Sequence, residues 1–197
     1  MRRPYWFAML AWACSWIGGN EARSQSQTRP GGASTTTSPR LYWPFTPGET
    51  WNITRSFGSP ERGTHSYYAL DLQRSDTSGR PWRDVTHRSD VRAAGAGRVT
   101  RIFNPSDAEL DLARRHNFKK VEGVGDFRPY AYGRHVVIDH GDGRATRYAH
   151  LDRVVASRVG ENVTALEPIG FAGNTGDSTG AHILFEVLAV RDGRLGE

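Results

Sequence analysis

The sequence predicts an all-β protein, an antiparallel β-sandwich or barrel interrupted by one short inserted helix. Three observations carry that prediction. Gly (22) and Pro (10) punctuate the 197-residue chain densely. From Leu41 onwards, apolar residues come in short runs separated by turn chemistry rather than at helical spacing. One helix-start pattern, Ser106 followed by Glu109, stands in isolation. Composition agrees with a folded domain, since 37% hydrophobic and 24% charged residues exclude both a multi-span membrane protein and a wholly disordered chain.

The N-terminus reads as an address rather than as fold. Arg2, Arg3 and Pro4 precede an apolar run from Tyr5 to Ile17, and small residues follow at Gly18 and Gly19. A basic start, about 13 mostly apolar residues and a small-residue exit predict a secretory signal over residues 1–22. That pattern predicts export of the mature protein. The run falls short of the ~20 residues a spanning helix needs, so no stable membrane span is expected. The single cysteine, Cys14, lies inside this segment and leaves the mature chain without a disulfide. Trp12 stands where a lipidation motif wants a small residue. Residues 23–40, rich in Gly, Ser, Thr and Pro, read as a flexible linker, and the folded domain spans 41–197.

Within the domain, Leu41 to Phe45 (LYWPF) is the expected first strand. The capping box at Ser106 and Glu109, continued by Leu110, Leu112 and Ala113, predicts a helix over 107–117 on an excursion between two strands. Such an excursion serves either as a groove wall or as a packed insertion. Two extended runs, HVVIDH and RATRYAHL, flank Gly141-Asp142-Gly143 and predict a hairpin. Gly160, Pro168, Gly173 to Gly176 and Gly180 then separate further short strands. The formal charge of +5 comes from 26 basic and 21 acidic residues without a dense basic run, so no nucleic-acid partner is expected.

Chemistry concentrates in the histidines. In THSYYALDL, His65 and Asp71 fall on one face of an extended chain, but about 20 Å apart, so a shared ligand requires a turn between them. In AHILFEV, Ile183, Phe185 and Val187 alternate with His182, Leu184 and Glu186. One face is apolar and the other carries His and Glu, with Leu184 the misfit. His140 beside the hairpin turn reads as structural, His87 and His116 as solvated, and His135 carries no assigned role.

Together, THSYYALDL, GAGRV, YGRHVVIDHGDGRATRYAHL, VGENV and IGFAGNTGDSTGAHILFEV resemble the lysostaphin or LytM-type zinc endopeptidases, which cut peptide cross-links in bacterial peptidoglycan. The resemblance covers about Asn52 to Asp192 and implies an antiparallel β fold with a groove and a zinc at its floor. It implies His65 and Asp71 as two metal ligands, and His150 and His182 as the non-ligand histidines that polarise the scissile carbonyl or activate water. It also implies a further ligand at the second His of an HxH pair, and there this chain has Leu184. Catalytic zinc sites use three protein ligands, and leucine has no lone pair. Two ligands hold zinc weakly, so the expectation is a degraded site with zinc weak or lost. Glu186, about 7 Å along the strand, or a reoriented His182 would need a local shift to stand in. Three functions follow: a peptidoglycan endopeptidase with altered ligation, a non-catalytic domain that binds cell-wall peptides or activates another cell-wall hydrolase, or a plain β carrier module.

Overall fold

The computed structural model describes residues 40–59, 66–75 and 85–196. The expected signal over 1–22, the linker over 23–40 except Arg40, and His65 lie outside the described residues. Among the described residues the fold is mainly antiparallel β with one complete α-helix, as the turn-punctuated sequence implies. Its strands are β1 (Trp51–Arg55), β2 (Leu70–Arg74), β3 (Asp90–Arg92), β4 (Gly97–Phe103), β5 (Lys120–Val121) and β6 (Gly125–Asp126). They continue with β7 (Arg134–Asp139), β8 (Arg144–Val154), β9 (Asn162–Val163), β10 (Pro168–Ala172), β11 (Ile183–Arg191) and β12 (Arg194–Leu195). The main sheet has ten strands, with β1-β2-β11-β8-β7-β4-β9 as its spine, β10 bridging β3 to β8 and β12 paired to β11. β5 and β6 form a separate small ribbon.

Period-two alternation gives the sheet its two faces. Val136, Ile138, Tyr148, Ile183, Phe185 and Leu72 point to the main core with Val91, Val99 and Ile169. Full burial of each large apolar side chain contributes about 1.5–3 kcal/mol. The opposite face carries Leu184 and Ala149 in one small cluster and Val137, Ala145 and Leu188 in another. This second face is the one that holds the chemistry.

The β7–β8 hairpin forms where Gly141-Asp142-Gly143 predicts it, with Gly141 and Gly143 at φ 74° and 85°. Its turn is tied into the core by a buried hydrogen-bond chain. Ala94 N–H donates to the Tyr148 hydroxyl at 2.6 Å, which lies 2.8 Å from Thr146 Oγ1. Thr146 lies 2.9 Å from His140 Nε2, and His140 Nδ1 lies 2.8 Å from the Ala96 carbonyl. Only one polarity satisfies both ends. Tyr148 donates to Thr146, Thr146 donates to His140, and Nδ1–H donates to the carbonyl. His140 is therefore structural.

The helix α1 spans Asp107–Arg115. Ser106 and Glu109 form a complete capping box, and the C-cap is His116, so the helix stops short of the expected residue 117. Asn117 and Phe118 turn left-handed, each at φ 51°, which ends the helical path. His116 is half-buried rather than fully solvated. It stacks on the buried Phe127 with centroids 4.7 Å apart and planes 6° apart. His87 is half-exposed and sits 3.4 Å from Asp152. The LYWPF segment is not a strand. Tyr42 N–H reaches Ala94 O and Arg92 N–H reaches Pro44 O, but Pro44 has no N–H with which to extend a ladder.

Candidate active-site groove

The groove is built around a row of three residues. Register places Asp71 on β2 opposite Leu184 on β11, and Leu184 opposite Ala149 on β8. Directly paired residues share a face, so all three line the same floor. The next row toward the far end pairs Glu186 with Arg147. Two residues upstream of Leu184, His182 forms an isolated bridge to Gly173 and points to the same side.

His150 reaches this floor through a defect in β8. Arg134 pairs with Leu151 and Val136 with Tyr148, so Ala149 and His150 together oppose the single residue His135. His150 has φ 62°, a left-handed conformation unusual for a non-glycine residue. The bulge re-aims the imidazole and turns the rest of β8 away from β11 to pair with β10.

Three of the four sequence-selected site residues come together. The His150 and His182 ring centroids lie 4.7 Å apart, and His182 Nε2 lies 3.8 Å from Asp71 Oδ1. His150 Nδ1 sits 2.7 Å from the Thr175 carbonyl, and His182 Nδ1 sits 2.7 Å from the Gly180 carbonyl. Carbonyl oxygens only accept, so in both neutral rings Nδ1 carries the proton and Nε2 keeps its lone pair. Ser178 Oγ, which donates to Asn174 Oδ1 at 2.6 Å, lies 3.2 Å from His182 Nδ1 and helps fix that ring. Arg55 Nε stands 3.7 Å from Asp71 Oδ2 and brings a cation beside the buried carboxylate. A turn over Ser66 to Ala69, closed by Ala69 N–H on Ser66 O, precedes β2 in the segment where the His65–Asp71 spacing requires one. His65 itself is outside the described residues.

The Thr175 carbonyl that orients His150 is held by close packing. Gly133, at φ 60°, and Gly176, at φ 79°, abut each other, and a Cβ on Gly133 would run into the Thr175 backbone. Thr175 Oγ1 donates to Leu151 O at 2.8 Å and accepts from Arg134 N–H at 3.0 Å.

Among the described residues, which exclude His65, the donor set does not make up a three-ligand zinc site. Among the described residues, no three His, Cys, Asp or Glu side chains stand close enough to hold one metal ion. Leu184 is 5% exposed and packs with Ala69, Ala149 and Tyr132, so aliphatic contacts occupy the position where the resemblance requires an imidazole. Glu186 is committed elsewhere. Its Oε2 pairs with Arg147 Nη1 at 3.2 Å, both side chains being almost fully buried, and Arg147 Cζ lies 4.2 Å over the Tyr132 ring. Tyr132 and Arg147 are not among the residues that the motifs single out. Alternation along RATRYAHL puts Arg147 on the face of Ala149 and was the available signal for it, whereas nothing local marks Tyr132.

Residues 84–194 match the model of peptidase family M23. The chain is 34% identical over 142 residues to the peptidoglycan DD-endopeptidase ShyB of Vibrio cholerae, covering 68% of this chain and 30% of that protein. It is 34% identical over 89 residues to ShyA, a peptidoglycan DD-endopeptidase of the same organism, covering 45% of this chain and 17% of that protein. The matched region thus spans less than a third of either relative. Among solved structures, the deep-sea M23 metalloprotease pseudoalterin superposes with a TM-score of 0.50 at 18% identity, covering 80% of this chain and 74% of that one. The match to most of the β domain, together with an antiparallel sheet carrying Asp71, His150 and His182 on one floor, places the chain in the metallopeptidase family M23.

Proposed function

We propose that the domain is exported and engages peptidoglycan cross-link peptides in this groove, with a zinc site too degraded for the hydrolysis that its relatives are named for. The observation that carries the reading is the packing of Leu184 on Ala69, Ala149 and Tyr132. A site merely waiting for metal would keep a polar hole there; an apolar cluster would have to be broken to admit a ligand. In this reading His65 and Asp71 are the remnant of the metal set. His150 and His182 present Nε2 lone pairs to peptide N–H groups. Cell-wall peptide as the substrate class is supported by the similarity to ShyA and ShyB, and export by the basic-apolar-small pattern of residues 1–22. No helix among the described residues is long and apolar enough to cross a membrane.

A second reading, an endopeptidase that retains zinc, is favoured by the preserved approach of His150, His182 and Asp71. One experiment separates the two. The mature protein and its Leu184→His variant are dialysed, assayed for zinc, and incubated with purified peptidoglycan. Wild type is expected to sediment with peptidoglycan, release no peptide products and hold well under one equivalent of zinc, while the variant gains metal. A full zinc equivalent with product release in wild type establishes the second reading. Failure to sediment overturns both.

A further inference from the structure

The excursion from Asn104 to Gly133 walls a cavity of about 480 Å³ beside the groove, lined by Arg101, Phe103, Arg128, Tyr132, His135 and the Asp126 carboxylate. Its floor continues that of the groove. Arg101 pairs with Val137 and Phe103 with His135, and Val137 belongs to the apolar cluster on the groove face. Tyr132 joins the two spaces, because it packs against the Leu184 cluster and also lines the cavity.

The lining has two chemistries. One wall is aromatic. Phe103 stacks on His135 with centroids 5.2 Å apart, and Tyr132 meets His135 edge-on at 5.8 Å. The rim is cationic. Arg101 and Arg128 are exposed at the rim, on a lining that also carries the Asp126 carboxylate. Asp126 grips Arg128 through Nε at 2.8 Å and Nη2 at 2.5 Å, which fixes the guanidinium plane while the Nη1 edge keeps its hydrogens for another acceptor. The wall is built before any ligand arrives: Arg134 Nη2 holds Asp107 Oδ1 at 2.6 Å, Arg114 Nη2 holds Gly176 O at 3.3 Å, and Phe127 is buried against His116.

Resting on the peptide-engaging reading above, we propose that this cavity is a subsite for a carboxylate-bearing residue of the bound peptide. The carboxylate would sit between Arg101 and Arg128 and the aliphatic body against Phe103, Tyr132 and His135. Guanidiniums present a planar fork of donors that matches a carboxylate, and a fixed fork loses little freedom on binding. Cell-wall stem peptides carry free carboxylates on short aliphatic residues, which is the combination this lining accommodates.

The test uses the mature protein and two probes, soluble disaccharide-peptide fragments of peptidoglycan and the same fragments with their carboxylates converted to primary amides. Titration calorimetry should show wild type binding the native fragments about tenfold more tightly than the amidated ones, the size of one charged hydrogen-bonded contact. The Arg101→Gln/Arg128→Gln double variant should bind both pools equally, at the affinity wild type shows for the amidated pool. Equal binding of both pools by wild type, or discrimination retained in the double variant, overturns the subsite and leaves groove binding standing. Binding of neither pool by wild type overturns the peptide-engaging reading itself.

Discussion

Leu184 and Asp71 face each other across the β2–β11 pairing, so an isobutyl group and a buried carboxylate share one row of the groove floor. The Arg55 guanidinium stands 3.7 Å from one carboxylate oxygen and the His182 ring 3.8 Å from the other, while the leucine side of the row presents aliphatic atoms. Leu184 itself packs on Ala69, Ala149 and Tyr132, in the same row as Asp71.

Shortening that leucine tests the packing. Leu184→Ala removes aliphatic atoms from a side chain only 5% exposed and should cost about 2–4 kcal/mol. The urea midpoint should fall without a change in slope. A loss below about 0.5 kcal/mol would mean the pocket collapses freely and leucine is not structural.

The Arg147–Glu186 pair should behave as a buried unit. Glu186→Gln leaves a guanidinium uncompensated at a site where both side chains are nearly inaccessible, and breaking such a pair costs about 3–5 kcal/mol. Replacing both, as Arg147→Met/Glu186→Leu, should cost much less than the two single changes together. The coupling, read from a double-mutant cycle, should be insensitive to added salt.

Both site imidazoles should show the Nδ1–H tautomer when neutral. Proton–nitrogen correlation spectra of the ring nitrogens would display it for His150 and His182, because each Nδ1 lies 2.7 Å from a carbonyl. Gly133→Ala, which drives a methyl into the Thr175 backbone, should disturb the His150 signals far more than those of His182.

At alkaline pH the buried phenol sets a slope. Burial pushes Tyr148 up to about 12 from its usual 10.0, against the opposing hydrogen bond that the phenol oxygen accepts from Ala94 N–H. The unfolded chain therefore loses this proton first. The contribution is fully present below pH 10 and is lost as pH rises to about 12, a difference on the order of 3 kcal/mol. Tyr148→Phe should be less stable at neutral pH, through the orphaned Ala94 N–H, yet fall less steeply across that window in urea titrations.

Local chemistry made much of this architecture legible in the sequence. The Gly141-Asp142-Gly143 turn announced β7 and β8, Ser106 with Glu109 announced α1, and alternation in AHILFEV sorted Ile183 and Phe185 from Leu184 and Glu186. What stayed hidden depends on pairing between distant segments. The partner of Glu186 comes from β8, the stack of His116 on Phe127 closes a loop, and the bulge at His150 exists only because β7 offers one residue against two. LYWPF misled because aromatic and aliphatic content suggested a strand, while Pro44 interrupts the ladder. The cavity beside Tyr132 draws on β4, β7 and the excursion together, and no single window contains it.

The excursion leaves β4 at Phe103 and re-enters β7 at Arg134, next to His135, the residue that pairs with Phe103. Its ends therefore lie about one strand spacing apart, near 5 Å, whatever lies between them. Loop closure grows only logarithmically with length, so doubling the segment would add about 0.6 kcal/mol to the cost of folding. The stretch behaves as an exchangeable cassette. Between its fixed contacts, Arg114 on Gly176 and Tyr132 and Gly133 beside the groove floor, its length is free to vary at small entropic cost, and each variant re-cuts the outer wall of the cavity.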